Sequence, residues 1–357
     1  MTEMTTKERV KRMFLHQEAD RVPILDFPWA GTVRRWKREG MPEGVEWEDY
    51  FGADKFATIQ PDTSPRYPVE ILSENERSYV QTSAWGVTQR HFKEEDSTPE
   101  FLDYKVINRD EWEKCKIRML EDDGTRINWD YLKGNYPKWQ AEGRWIRGIF
   151  WFGFDVAHSH MMGTENHLIA MYEDPELVMD MYNTFLDCSI RQFEKIWDAG
   201  YRFDTMWWYD DMGYKGTTFF SNELYRELLK PVHKRAVDWA HNRGIFAELH
   251  SCGNIMTRID DLVDIGVDAL NPIEVKAGME PLTLKEKYGD KLAFHGGTNA
   301  LMWSNRDEII EIIREIVPVM KENGGYIFSS DHSIPNSVSL ETFKDIVAEV
   351  KRVGAYR

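Results

Sequence analysis

The sequence predicts an α/β protein, a (β/α)8 TIM barrel with an N-terminal α+β extension. Three observations point there. Strand-like and helix-like runs alternate six times between about residue 144 and the C-terminus. The strand-like runs are short and apolar on both faces, as in a parallel sheet covered by helices. Polar residues gather at the C-terminal ends of those runs, which in a barrel meet at one rim and build its site. An open doubly wound sheet is the second choice, but no Gly-x-Gly-x-x-Gly follows an early strand. A chain of 357 residues fits one large barrel as readily as two ordinary domains.

Taken in order, Thr5-x-x-Glu8 is a capping box that opens a helix through about Leu15. A short strand, Arg21–Leu25, follows. From there to about Arg126 the pattern is mixed, with Tyr79–Thr82 and Val87–His91 read as a small hairpin. Residues 1–126 are therefore expected as an extension packed on the barrel. Residues 127–357 form its main part within a single structural domain, and the first half adds one or two further units. Strand Trp145–Trp151 precedes a helical stretch, Asp155–Met162. Asp174-Pro175, an N-cap followed by proline at the first helical position, starts a long helix to about Asp198. Strand Phe203–Trp208 comes next, then a helix capped by Ser221 and another over Pro231–Asn242. Strand Ile245–His250 leads to helix Met256–Ile265, which Gly266 ends. Strand Asp268–Asn271 leads to helix Pro281–Tyr288. Strand Lys291–His295 leads to helix Arg306–Asn323, with Ser304 as its cap. Strand Tyr326–Ser329 leads to helix Leu340–Val353.

Bulk properties remove several function classes. A formal charge of −16 argues against a nucleic-acid partner, which needs clustered Lys and Arg. No run approaches the eighteen or so apolar residues of a membrane span. Met1–Gln17 is charged and helix-like, without an apolar signal core. Three cysteines, at 115, 188 and 252, do not make a disulfide framework, so a cytoplasmic, reducing location is expected. Fourteen tryptophans are enough to fill core and still line an aromatic pocket.

The most telling stretch is Glu248-Leu249-His250-Ser251-Cys252-Gly253-Asn254. Residues two apart on a strand share a face, so His250 and Cys252 can grip one ion together, and Glu248 shares their parity. Imidazole and thiolate are zinc ligands, although a short His-x-Cys also arises by coincidence. The other strand ends carry Asp210 and Asp211, Asn271, His295, and Asp331 with His332. Each has a plainer alternative. Asp210 and Asp211 could cap the following loop. His295 and His332 could be core histidines bonded to backbone. Glu248, facing the barrel, either supports a ligand or is one, because an unpaired carboxylate there would be costly. Trp207 and Trp208 point to opposite faces, so at most one lines the rim. Cys115 and Cys188 read as packing thiols.

Several segments together carry a resemblance to a known family. They are Glu8-Arg9-Val10, Asp20-Arg21-Val22-Pro23, Met162-Gly163-Thr164-Glu165, Asp210-Asp211-Met212-Gly213, His250-Ser251-Cys252-Gly253-Asn254, Phe294-His295-Gly296-Gly297, Gly324-Gly325-Tyr326-Ile327 and His332-Ser333-Ile334. The chain resembles the uroporphyrinogen decarboxylase superfamily, which also holds corrinoid-dependent methyltransferases. That resemblance implies a (β/α)8 barrel with an N-terminal extension. The decarboxylases hold substrate carboxylates with two arginines after the first strand. Here Pro28-Trp29-Ala30-Gly31-Thr32 occupies that place without them, and Arg34 and Arg35 lie out of register. Their Asp-Ser pair becomes Asp210-Asp211. A polycarboxylate would therefore meet an acidic rim.

The methyltransferase branch binds zinc through a His-x-Cys pair and a distant Cys, and here Asp331-His332-Ser333 stands at the third place. The resemblance thus implies one Zn2+ per chain at His250, Cys252 and His332, with Asp211 or Glu248 completing the shell or moving a proton. Asp210 would orient neighbours. Trp207 or Trp208, with Trp151, would stack on an aromatic substrate, and His295 and Asn271 would border the same site. The expected activity is a zinc-dependent methyltransferase moving a methyl group between a small substrate, a methoxylated aromatic or a thiol, and a corrinoid supplied by a partner protein. A homodimer is compatible with this reading. The alternatives are a metal-free decarboxylase using His332 and Asp211 for protons, and a non-catalytic barrel that binds a tetrapyrrole or corrinoid.

Overall fold

A computed structural model describes residues 3–93 and 98–356. Seven parallel strands form one sheet in sequence order: β1 (Phe56–Ile59), β2 (Trp145–Phe150), β3 (Thr205–Tyr209), β4 (Phe246–His250), β5 (Ala269–Asn271), β6 (Ala293–His295) and β7 (Tyr326–Ile327). The curled, TIM-barrel-like sheet has β1 and β7 at its two edges. Register aligns Glu248 with Trp207 on one side and Ala269 on the other, and His250 with Tyr209 and Asn271.

The segment expected as strand Arg21–Leu25 lies between those edges. Leu25 N–H donates to Phe328 O at 3.1 Å, and Phe328 N–H to Pro23 O at 2.9 Å. Asp54 N–H reaches back to Ile24 O at 2.9 Å, and the Asp54 carboxylate accepts the Ile24 N–H. Buried Arg9 joins this closure through Asp20 at 2.7 Å and through Asp54, which Arg21 also meets at 2.7 Å. The Glu8-Arg9-Val10 and Asp20-Arg21-Val22-Pro23 motifs are thus the buried ion network that ties the sheet's edges together. They lie at the opposite end from the chemistry. Helix Thr6–Phe14, with the expected capping box on Thr5, plugs that end with Val10, Met13 and Phe14 against Trp145 and Ile327.

Two readings of the first half change. Strand β1 was not expected, because Phe56–Ile59 is only four residues long and is set among charged and proline-rich sequence. The hairpin is larger than expected. Strands 71–74, 78–82, 87–92 and 100–104 form a four-stranded antiparallel sheet. Trp85 and Phe101 bring it to His160, with ring centroids 6.1 and 5.9 Å apart. Helix 109–120 docks by Trp112, whose indole donates to Asp180 on the long helix Pro175–Asp198. Asp174 caps that helix as its sequence implied. Helix Arg306–Met320 is capped by Asn305 rather than Ser304, because a short 3-10 turn takes up residues 300–304. Among the described residues no helix is long and apolar enough to cross a membrane.

Candidate functional site

Strand β4 ends by presenting His250, and two residues on Cys252 faces the same way. Their Nε2 and Sγ atoms lie 3.4 Å apart. Asn271, the neighbour of His250 across the β4–β5 register, sets the ring. Its Oδ1 meets His250 Nδ1 at 2.5 Å, while its Nδ2 donates to His295 O at 2.9 Å. The amide is thereby fixed as acceptor toward the imidazole. Nδ1 carries the proton and Nε2 is left as a free lone pair on the thiol's side. Burial holds the imidazole down to about 4, so the ring is neutral at physiological pH. Burial also pushes the Cys252 thiol up, and the nearby Asp211 carboxylate adds to that.

The third donor comes from the loop after β3. Asp211 Oδ1 lies 3.7 Å from His250 Nε2 and accepts the Cys252 N–H at 2.7 Å. Asp211, His250 and Cys252 place one ligand atom each within 4.8 Å of one another. Burial raises the Asp211 carboxyl, and Asp155 raises it further. Two glycines permit this approach. Gly213 and Gly253 pack backbone on backbone: a Cβ on Gly253 would sit 2.2 Å from Gly213 C, and one on Gly213 would sit 2.5 Å from Cys252 O. Glu274 completes the loop by accepting the Gly253 N–H at 2.6 Å. A nitrogen, a sulfur and an oxygen donor set of this kind suits a divalent zinc-like cation.

Asp211 and Cys252 of the trio border an open cleft of about 620 Å³. Its wall also carries Asp155, His158 and Ser159, with Tyr214, Phe219 and Leu301 giving it apolar surface. Asp155, which sequence reasoning missed, accepts Ser159 Oγ at 3.0 Å and lies 3.4 Å from His158 Nε2. It follows the C-terminal end of strand β2. The Asp-x-x-His spacing on one helical face was the available signal.

The structure separates the other expected residues. His332 is not part of the trio. Asp331 is buried and pinned by Val275 and Ala300 N–H groups at 3.1 and 2.8 Å, and the chain then turns His332 outward, exposed, 6.0 Å from Trp29. Glu248 lies outside the trio as well. It points into the barrel one strand layer below and accepts from His295 Nδ1 at 2.8 Å, while His295 Nε2 meets Leu25 O at 3.0 Å. His295 is therefore a buried ring bridging the barrel, and Asn271 holds His250 rather than lining the cleft. Asp210 is fully buried. It meets His233 Nε2 at 2.6 Å and accepts the Asp155 N–H at 2.8 Å, so it orients the loop that carries Asp155. Trp208 faces outward into the core, against Phe152 and His233. Trp207, 1% exposed, lies beneath His250 with ring centroids 5.5 Å apart. Trp151 is half-buried beside Tyr209, at 5.8 Å. Cys115 and Cys188 are buried packing thiols.

Two outcomes follow from this geometry. Asn271→Ala is expected to weaken zinc binding by about 10- to 100-fold, because the imidazole loses its fixed tautomer and orientation. Competition with a chromophoric chelator measures this. His332→Ala is expected to leave zinc content unchanged, and loss of the metal in that variant would return His332 to the ligand set.

Comparison with known proteins agrees with this architecture. The sequence model of the family described as uroporphyrinogen decarboxylase (URO-D) matches residues 5–353. A methylcobamide:CoM methyltransferase MtbA from Methanosarcina acetivorans is 22% identical over 330 residues, covering 87% of this chain and 84% of its own. The protein of the same name from Methanosarcina mazei is 22% identical over 292 residues, covering 76% of this chain and 77% of its own. A solved structure of a methyltransferase from Methanosarcina mazei superposes with a TM-score of 0.62 at 16% identity, covering 98% of this chain and 99% of that one.

Proposed function

The chain belongs to the uroporphyrinogen decarboxylase family, and within it we propose that this protein moves a methyl group between a small substrate and a corrinoid carried by a partner protein. Two curated relatives bear the name methylcobamide:CoM methyltransferase, which supports the methyltransferase branch. The observation that carries the reading is the Asp211–His250–Cys252 trio, of which Asp211 and Cys252 line the cleft. These residues would hold zinc, with Asp211 in the place the sequence gave to His332. A bound zinc would act as a Lewis acid, lowering the pKa of a thiol or phenol and stabilising negative charge on the heteroatom that loses or accepts methyl.

The chain's own residues account for the rest. Asn271 holds His250 with Nε2 toward Cys252. The Asp155–His158–Ser159 cluster on the cleft wall would take the proton that a thiol gives up before its sulfur is methylated. Tyr209 packs edge-on to His250 and tilts against Trp151, which puts aromatic surface next to the trio for a substrate ring. The cleft is open on its outer side, as the approach of a corrinoid carried on another protein requires.

The test combines metal analysis with turnover. About one zinc per chain is expected, together with thiol-dependent demethylation of methylcobalamin followed by its absorbance. A metal-free protein that instead decarboxylates uroporphyrinogen would overturn the reading. Tight pigment binding without any turnover would overturn it in favour of a binding protein.

A further inference from the structure

We propose that Thr164 is a positioning residue for the proton acceptor of the cleft. Through His158 it fixes a one-way chain of hydrogen bonds that ends on Asp155 Oδ1 and leaves Asp155 Oδ2 to receive a proton from the substrate. That a thiol gives up this proton rests on the function proposed above; the direction of the chain rests on geometry.

Thr164, from the Met162-Gly163-Thr164-Glu165 segment, opens helix Thr164–Glu173 directly after a π-helical turn over His158–Met162. A π turn carries more residues than an α turn and marks functional sites more often than chance would place it there. Gly163, at φ +82°, then redirects the chain. Strand 100–104 closes over this bend, where a Cβ on Gly163 would sit 2.8 Å from a Tyr104 ring carbon. Thr164 Oγ1 is thereby brought to 3.1 Å from His158 Nδ1, six residues back. The imidazole stacks on Phe154, with ring centroids 4.5 Å apart, and is 9% exposed.

Ser159 has one hydroxyl hydrogen, and the carboxylate Oδ1 of Asp155, at 3.0 Å, is the strong acceptor for it. Ser159 Oγ then accepts from His158 Nε2, at 3.3 Å. Nε2 therefore carries the ring proton, and it also approaches Asp155 Oδ1 at 3.4 Å. In the neutral ring Nδ1 is left as a lone pair, which takes the Thr164 hydroxyl hydrogen. Burial works to raise the Asp155 carboxyl, but the bond and charge of His158, with Ser159 behind them, outweigh it and hold the group below the ordinary carboxylate range. Both donors converge on Oδ1. Oδ2 has no partner among the described residues, and Asp155 lines the cleft together with Asp211 and Cys252. Without the Thr164 hydroxyl the ring loses its bond at Nδ1, and nothing polar holds Nε2 to the chain from behind.

The test reads the ring and the rate separately. The full-length protein is labelled with 15N on histidine, and His158 is identified by its absence from the spectrum of His158→Gln. Long-range 15N–1H correlation at neutral pH is expected to place the ring proton on Nε2, with Nδ1 a hydrogen-bonded acceptor. In Thr164→Val, which keeps the shape and removes the hydroxyl, the Nδ1 signal is expected to move downfield as that bond is lost. A wild-type proton on Nδ1 overturns the proposal, as does an Nδ1 signal that Thr164→Val leaves in place. In methyl transfer from methylcobalamin to a thiol, Thr164→Val is expected to lower kcat about tenfold with KM nearly unchanged. Thr164→Ser, which restores the hydroxyl, is expected to recover most of the rate. In an Asp155→Asn background Thr164→Val is expected to cost nothing further, because it acts through that carboxylate. An equal loss in both backgrounds overturns the proposal. Should Thr164→Val fail to fold, the wild-type tautomer and Thr164→Ala decide. A wild type with the expected tautomer and no methyl transfer sinks the function proposed above and leaves the hydrogen-bond chain standing.

Discussion

His250→Ala/Cys252→Ala is expected to remove zinc from the protein and to abolish methyl transfer while the barrel stays folded. The two side chains supply two of three neighbouring donors, one with its Nε2 lone pair aimed at the other's sulfur across 3.4 Å. Removing both should cost on the order of 4 kcal/mol of metal affinity, about a thousandfold. Both residues sit at the rim, so thermal unfolding should move little. Metal analysis after gel filtration gives the first readout, and methylcobalamin absorbance with a thiol acceptor gives the second.

Proton linkage sharpens this test. The His250 imidazole, held down to about 4, is neutral across pH 6 to 8 and takes no part in the competition. The Cys252 thiol, pushed up by burial, is protonated in that range and must lose its proton when it ligates. Zinc affinity should therefore rise at least about tenfold per pH unit in the wild type. It should rise less steeply in Cys252→Ser. An equal slope in the two proteins would remove the thiolate from the site.

Gly253→Ala is expected to cost about 2–4 kcal/mol of stability and to scatter the donor trio. Gly253 has φ +77°, a left-handed conformation that a side chain strains. Its new methyl would sit 2.2 Å from Gly213 C and 2.4 Å from Gly213 O. Both are backbone atoms, which cannot rotate aside. Relief requires the loops after β3 and β4 to part, and that contact is what sets Asp211 beside Cys252. Gly216→Ala makes the matched control. Its φ is +79° but nothing lies within 4 Å of the added carbon, so strain alone applies, about 1 kcal/mol. Urea unfolding and zinc stoichiometry of the two variants separate strain from collision. Retained zinc in Gly253→Ala would show that the loops are not what holds the trio.

The fold and half of the site were legible because they depend on local rules. Strand parity put His250 and Cys252 on one face, and parity also put Trp207 and Trp208 on opposite faces, where the structure has them. Capping and proline signals gave the ends of the long helix 175–198. Glu248 shares the parity of His250, but parity does not report depth. One strand layer lower it meets His295 across the barrel, and that pairing takes it out of the cleft.

The third donor could not be read along the chain. Beyond the last paired residue of a strand nothing periodic governs where side chains point. At β7 two backbone N–H groups from neighbouring loops pull Asp331 inward, and His332 is left facing solvent. At β3 the loop closes on that of β4 only because Gly213 and Gly253 have no side chains, and Asp211 arrives there with it. Short-range stereochemistry decided the alternating elements, the barrel and the His-x-Cys pair, because those depend on residues a few positions apart. The closing ligand and the loss of His332 were decided by contacts between loops and strands distant in sequence, where close packing rather than periodicity sets direction.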